Sequence, residues 1–291
     1  MFSILHIASW HYGKVMTEKS EASPRMNERI EIKTIVKIQD NFTKEFLNAA
    51  KNGDLATVNN LLQQNKDLIY CETAFGFTGL HYSAMKGHND VVKTLLDNGA
   101  DVNMTGTVVI SNTALVFAAY YGQESTVQLL IEAGADVSHQ NSRGNSALHD
   151  AASRGHRGIV RILLDHESNV YLQNDLHRTA LIMAAKQGHR NIVADIIKAG
   201  ADLECQDISN NNALHLSAMQ GHDDIVKILL EHNIDVNKIG YGNKSAFEMA
   251  FISGFFTTAK LLKKLLLKTK QFSVKKKRFI ACGDPNKWSL L

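Results

Sequence analysis

Proline and cysteine are both scarce: two and three residues respectively in a chain of 291. Cys71, Cys205 and Cys282 lie far apart and fit neither a disulfide framework nor a zinc-binding spacing, which points to a reducing compartment. No stretch approaches the ~20 consecutive apolar residues of a membrane span. The opening MFSILHIASW lacks the leading basic residue and long apolar run of a secretory signal. The expected location is therefore cytoplasmic, with the nucleus or the cytoplasm of a host cell as variants. GxSxG, P-loop, HExxH and kinase-type loops are also missing, so the expectation is no enzyme, no cofactor and no metal.

What is present is a repeated stretch, TGLHYSAMKGHNDVVKTLLDNGADVN, at Thr78 to Asn103. Its opening Thr has counterparts at Thr113, Ser146, Thr179, Asn212 and Ser245, in steps of 35, 33, 33, 33 and 33 residues. A glycine keeps the same beat at Gly53, Gly87, Gly122, Gly155, Gly188, Gly221 and Gly254. A period in the low thirties means an array of small stacked units.

Within a unit, Thr78 is suited to cap a helix, and Leu80, Ala84 and Met85 fall at helical spacing. Gly87 supplies the left-handed residue that ends it. Val91, Val92, Leu95 and Leu96 then form an apolar stripe on a second helix that Gly99 terminates. Two helices of about ten residues cannot bury their apolar faces alone, so adjacent units must cover them. Glu167 and Asn233 replace the glycine after the second helix; glutamate there predicts a strained joint costing about 1 kcal/mol.

T-x-L-H-x-x-A-x-x-G-H followed by V-V-x-x-L-L-x-x-G-A-D-V-N resembles the ankyrin repeat. The usual proline after the opening Thr is replaced by Gly79, Ala114, Ala147, Ala180, Ala213 and Ala246. The resemblance implies an all-α solenoid of helix-turn-helix units with β-hairpin-like loops, about seven units including caps, acting as a protein-binding surface. We divide the chain into a flexible leader (1–40), the ankyrin repeat domain (41–262) and a basic C-terminal extension (263–291). ERIEIKTIVKI, residues 28 to 38, is readable as a short strand or a helix.

Seven of the thirteen histidines are explained by the repeat. His81, His149 and His215 hold the TxLH position, and His88, His156, His189 and His222 follow the inter-helix glycine. The resemblance gives both sets structural roles, as hydrogen-bonding bridges between loops and helix ends.

By the same resemblance, a partner would touch the residues just before the inter-helix glycine and the loop tips. The first group comprises Met85, Lys86, Tyr120, Tyr121, Arg154, Lys186 and Met219; the second Phe75, Phe77, Val109, Ile110, Arg143, Leu176 and Arg178. Aromatics and arginine concentrate interface energy, and the mixture suits a partner segment with both apolar and acidic character.

The net charge of +3 conceals an asymmetry, because residues 260–291 hold ten Lys and Arg against one acid. Lys263, Lys264, Lys275, Lys276, Lys277 and Arg278 could serve as a solvated cap, attract anionic lipid, or be read by a nuclear import factor. Nucleic acid is not expected as a partner because the body is acidic, and a monomer is expected. Three functions follow: a protein-binding scaffold, a regulatory adaptor directed to membrane or nucleus by the tail, or a bacterial effector translocated into host cells.

Overall fold

A computed structural model describes residues 41–106 and 111–268. The described residues form helix pairs joined by short loops. Residues 41–52 form α1, followed by α2 (Leu55–Gln64). The next pairs are α3 (Gly79–Lys86) with α4 (Asn89–Asp97) and α5 (Ala114–Tyr121) with α6 (Glu124–Glu132). These belong to a compact unit ending at Ala135.

A second compact unit begins at Asp136. It holds α7 (Ala147–Arg154) with α8 (Arg157–Asp165), α9 (Ala180–Gln187) with α10 (Arg190–Lys198), and α11 (Ala213–Met219) with α12 (Asp223–Glu231). Two short strands, β1 (Ile239–Gly240) and β2 (Lys244–Ser245), pair antiparallel before α13 (Ala246–Ile252) and α14 (Phe256–Lys268). The boundary placed after Leu262 thus falls inside α14, which continues to Lys268. The segment at residues 28 to 38 lies outside the described residues.

In both units, first helices pack on first helices and second helices on second helices. The sequence explains this layering. First helices share small buried residues, as in Ala147, Ala151 and Ala152 around Leu148, which lets α9 approach α7 closely. Second helices bury one stripe: Ile159, Val160 and Leu163 in α8, and Ile192, Val193 and Ile196 in α10. Each of these branched side chains contributes about 2 kcal/mol by leaving water.

The turn between the helices of a pair requires a left-handed residue that also yields space. At Gly188, φ is 85° and an added Cβ would lie 2.8 Å from Cε1 of His222 in the next pair. Glu167 adopts φ 58° and Asn233 φ 61°, the conformations expected for residues standing where glycine is usual. Glutamate has no local side-chain compensation there that asparagine offers, so the strain falls on Glu167.

Candidate functional site

The loop tips are organised by residues that sequence reasoning passed over. Asn141, Asn174 and Asp207 are buried and 33 residues apart. Each uses its side-chain Oδ1 to accept two backbone N–H groups across the tip. Asn141 takes those of Arg143 and Asn145, Asn174 those of Leu176 and Arg178, and Asp207 those of Ser209 and Asn211, all at 2.9–3.0 Å. This Asx arrangement closes the turn without a full hairpin ladder. The left-handed position of each tip is taken by Gly144 (φ 69°), His177 (φ 53°) and Asn210 (φ 61°). Adjacent tips are linked: Asp175 donates its N–H to the Arg143 carbonyl at 3.0 Å, and Ile208 to the Leu176 carbonyl at 3.1 Å. The 33-residue recurrence of Asn141, Asn174 and Asp207 was the available signal.

The TxLH histidines join the loops to the helices. Nδ1 of His81 accepts the Thr78 backbone N–H at 3.1 Å, and Nε2 lies 3.0 Å from the Met104 carbonyl. An acceptor at Nδ1 leaves the proton on Nε2, which donates to that carbonyl. His149 links Ser146 to the Arg178 carbonyl, and His215 links Asn212 to that of Lys238, both with Nε2 at 3.0 Å. Burial holds all three rings in the neutral form: His81 is pushed down to about 4, and His149 and His215 are lowered for the same reason. At the far end of three pairs, Nε2 of His88, His189 and His222 lies 3.1–3.2 Å from the carbonyls of Lys51, Ser153 and Lys186. Gln123 makes the equivalent bond to the Met85 carbonyl at 3.3 Å, so an amide can replace the imidazole.

The expected contact residues divide by how freely they meet solvent. In the first unit Phe75, Lys86 and Tyr121 are exposed, and Met85 and Tyr120 half-buried. The Tyr120 and Tyr121 rings meet edge to face at 5.0 Å. Phe77 is half-buried and packs 5.4 Å from Phe117 and 5.6 Å from Tyr82, so it supports the fold more than it offers a free anchor. In the second unit Arg143, Arg154 and Leu176 are exposed, and Lys186 and Met219 half-buried. Arg178 is held by Asp207 at 3.1 Å and is a strut between loops. Exposed Ile208 and Tyr241 complete the apolar tips. Val109 and Ile110 lie outside the described residues, as do Lys275, Lys276, Lys277 and Arg278; Lys263 is half-buried and Lys264 exposed on α14.

Among the described residues no three His, Cys, Asp or Glu side chains gather as metal ligands. No described helix is long and apolar enough to cross a membrane. The Cys71 thiol is pushed up to about 12 by burial, which leaves it a poor nucleophile.

Paired helices stacked with their like and loops tied by buried histidines define a helical repeat module. Ankyrin repeats (3 copies) match residues 46–141, 115–207 and 194–271, and the chain belongs to the ankyrin repeat family. Such repeats are generally protein-interaction modules, and the fold is typically a non-catalytic binding scaffold.

Among individual proteins, the chain is 41% identical over 59 residues to human ankyrin repeat domain-containing protein 39, covering 20% of this chain and 32% of that protein. It is 43% identical over 61 residues to the E3 ubiquitin-protein ligase XBAT33 of Arabidopsis thaliana, covering 21% and 12%. It is 38% identical over 55 residues to the 2-5A-dependent ribonuclease of Mus musculus, covering 19% and 8%. In each case the chain spans a third or less of the relative's own length.

Proposed function

We propose that this chain is a non-enzymatic scaffold that binds a protein partner through the inner ends of its first helices and through its loop tips. The observation that carries the reading is the presence of exposed apolar side chains at the tips of several of the loops between repeats. Phe75 is 66% exposed, Leu176 41%, Ile208 56% and Tyr241 67%, all at loop tips. Solvated loops favour polar residues, and aromatic groups held out on a rigid frame are the type that anchors interfaces. Beside them Tyr121 is 49% exposed with its ring braced against Tyr120.

Replacing Tyr120 and Tyr121 together with alanine tests the surface. Partner capture by the full chain is expected to fall at least about tenfold, since paired aromatic anchors are commonly worth 2 kcal/mol or more, while the helical spectrum is unchanged. Capture at undiminished affinity would remove this surface from the reading.

A further inference from the structure

Four residues after each helix cap, the first helices carry Tyr82, Phe117, Asp150, Met183, Leu216 and Met249. Five of the six are large and apolar, and Asp150 alone is ionisable at neutral pH. It is 7% exposed. Its Oδ1 accepts from Nδ2 of Asn145 at 3.0 Å, and Oδ1 of Asn145 accepts from Nδ2 of Asn174 at 2.8 Å. Asn174 is itself fixed by the two loop-tip amides it accepts. Asp150 therefore ends a rigid polar chain that sets its orientation.

Its other carboxylate oxygen has neither a hydrogen bond nor an ion pair among the described residues, and it is not sealed from solvent. Burial pushes the carboxyl up to about 6, with Arg143 acting in the opposite direction but forming no ion pair with it. Orienting Asn145 alone would need one oxygen and no charge. A preset second oxygen on a carboxylate already largely withdrawn from water is an acceptor that is costly to leave unpaired and strongly rewarded by a cation.

We infer that Asp150 forms a socket on α7 for one lysine or arginine side chain of the bound protein. The inference rests on the protein-binding reading above and narrows it. A metal ion does not fit, because a single carboxylate lacks the convergent ligands required. Exposed Arg154, one turn further along α7, and half-buried Lys186 on α9 add positive charge nearby. The partner's basic residue is therefore a single one, flanked by neutral or acidic neighbours.

The probe is a library of random dodecapeptides displayed on phage and selected on the full chain. Selected peptides are expected to share one lysine or arginine. Exchange of that residue for norleucine in a synthetic peptide should weaken binding about tenfold on the wild-type chain, the worth of one charge-assisted hydrogen bond. On Asp150→Asn the same exchange should change it by less than about twofold. Asp150→Met, which installs the residue found at positions 183 and 249, serves as a second variant should the first fold poorly. In the unaltered chain, the lysine peptide should move the Asp150 carboxyl carbon resonance and the norleucine peptide should not.

Selected peptides without a basic position, an equal norleucine penalty on both chains, or an unmoved resonance would overturn the socket while leaving protein binding intact. A folded chain that enriches no peptide at all would overturn both readings.

Discussion

The repeats opened by α3, α7 and α11 are set apart from those opened by α5 and α9 by the residue three positions after the helix cap. The first set carries His81, His149 and His215; the second carries Val116 and Ile182. Both sets keep a residue with a polar side chain as the cap, and all five side chains are buried. In the histidine units the ring ties the cap to the carbonyl of the next loop. In the aliphatic units the side-chain oxygens of Thr113 and Thr179 accept the backbone N–H of Val116 and Ile182 at 3.4 Å, and the methyl groups fill the remaining space. One backbone is thus held in place by directed bonds in some units and by close packing in others. Directed bonds carry a cost that packing does not: a lost partner strands two buried polar groups, and a proton can break the arrangement.

The largest effect should come from erasing that difference in one unit. His149→Leu leaves the Ser146 N–H without its partner and takes one of two N–H donors from the Arg178 carbonyl, which keeps that of Asn174, a loss on the order of 2–4 kcal/mol. Ile182→Val in the neighbouring unit removes one methylene and should cost about 1 kcal/mol. Urea unfolding of both variants measures the contrast. Equal losses would mean that the histidine acts as a space-filler and that its bonds contribute little.

Acid is the next lever, because the buried imidazoles lie in one set of units only. A buried histidine whose folded pKa is depressed binds its proton more readily in the unfolded chain. Stability is therefore fully present above the unfolded value of 6.5 and declines as pH falls toward the folded value, about 4 for His81. Over that window His81 alone would cost about 3 kcal/mol, at 1.4 kcal/mol per pKa unit. Asp150 opposes the trend, since its carboxyl is raised and protonates more readily in the folded chain. Stability followed from pH 7.5 to 4 should fall in the wild-type chain, and His81→Gln should flatten the curve. A wild-type profile that is level between 6.5 and 4 would contradict the buried neutral rings.

Much of this was legible in residue spacing. The glycine beat marks the helix pairs, the TxLH pattern marks the structural histidines, and Glu167 stands out because its counterparts are glycine or asparagine. What escaped depends on geometry between repeats. The Asx tips of Asn141, Asn174 and Asp207 recur with the period, but their partners are backbone amides, which no side-chain pattern reveals. Phe77 and Arg178 read as partner contacts from their loop positions. Each instead finds a partner inside the fold, Phe117 and Asp207 respectively, about thirty residues or more further along. Asp150 was invisible for a related reason: an aspartate beside a helix start suggests a solvated charge, and only its burial against Asn145 shows otherwise.

The smallest effect should run toward greater stability, and it concerns an imperfect member of the histidine set. Asn212 takes the place of Thr78 and Ser146. A hydroxyl can accept the backbone N–H three residues on and pass its own proton to the imidazole Nδ1, so one atom serves both bonds. A carboxamide oxygen can only accept. Oδ1 of Asn212 takes the His215 N–H at 3.1 Å but faces Nδ1 at 2.6 Å, and Nδ1 already accepts the Asn212 N–H at 3.3 Å. Two acceptors therefore oppose each other, and the amide Nδ2 that could donate is buried without a partner. Asn212→Thr restores the two-way hydroxyl and removes the stranded amide, which should raise stability by about 1 kcal/mol. The gain should appear as a higher urea midpoint with an unchanged slope. A lower midpoint would show that the volume of the asparagine matters more than the direction of its bonds, placing this unit closer to the aliphatic kind.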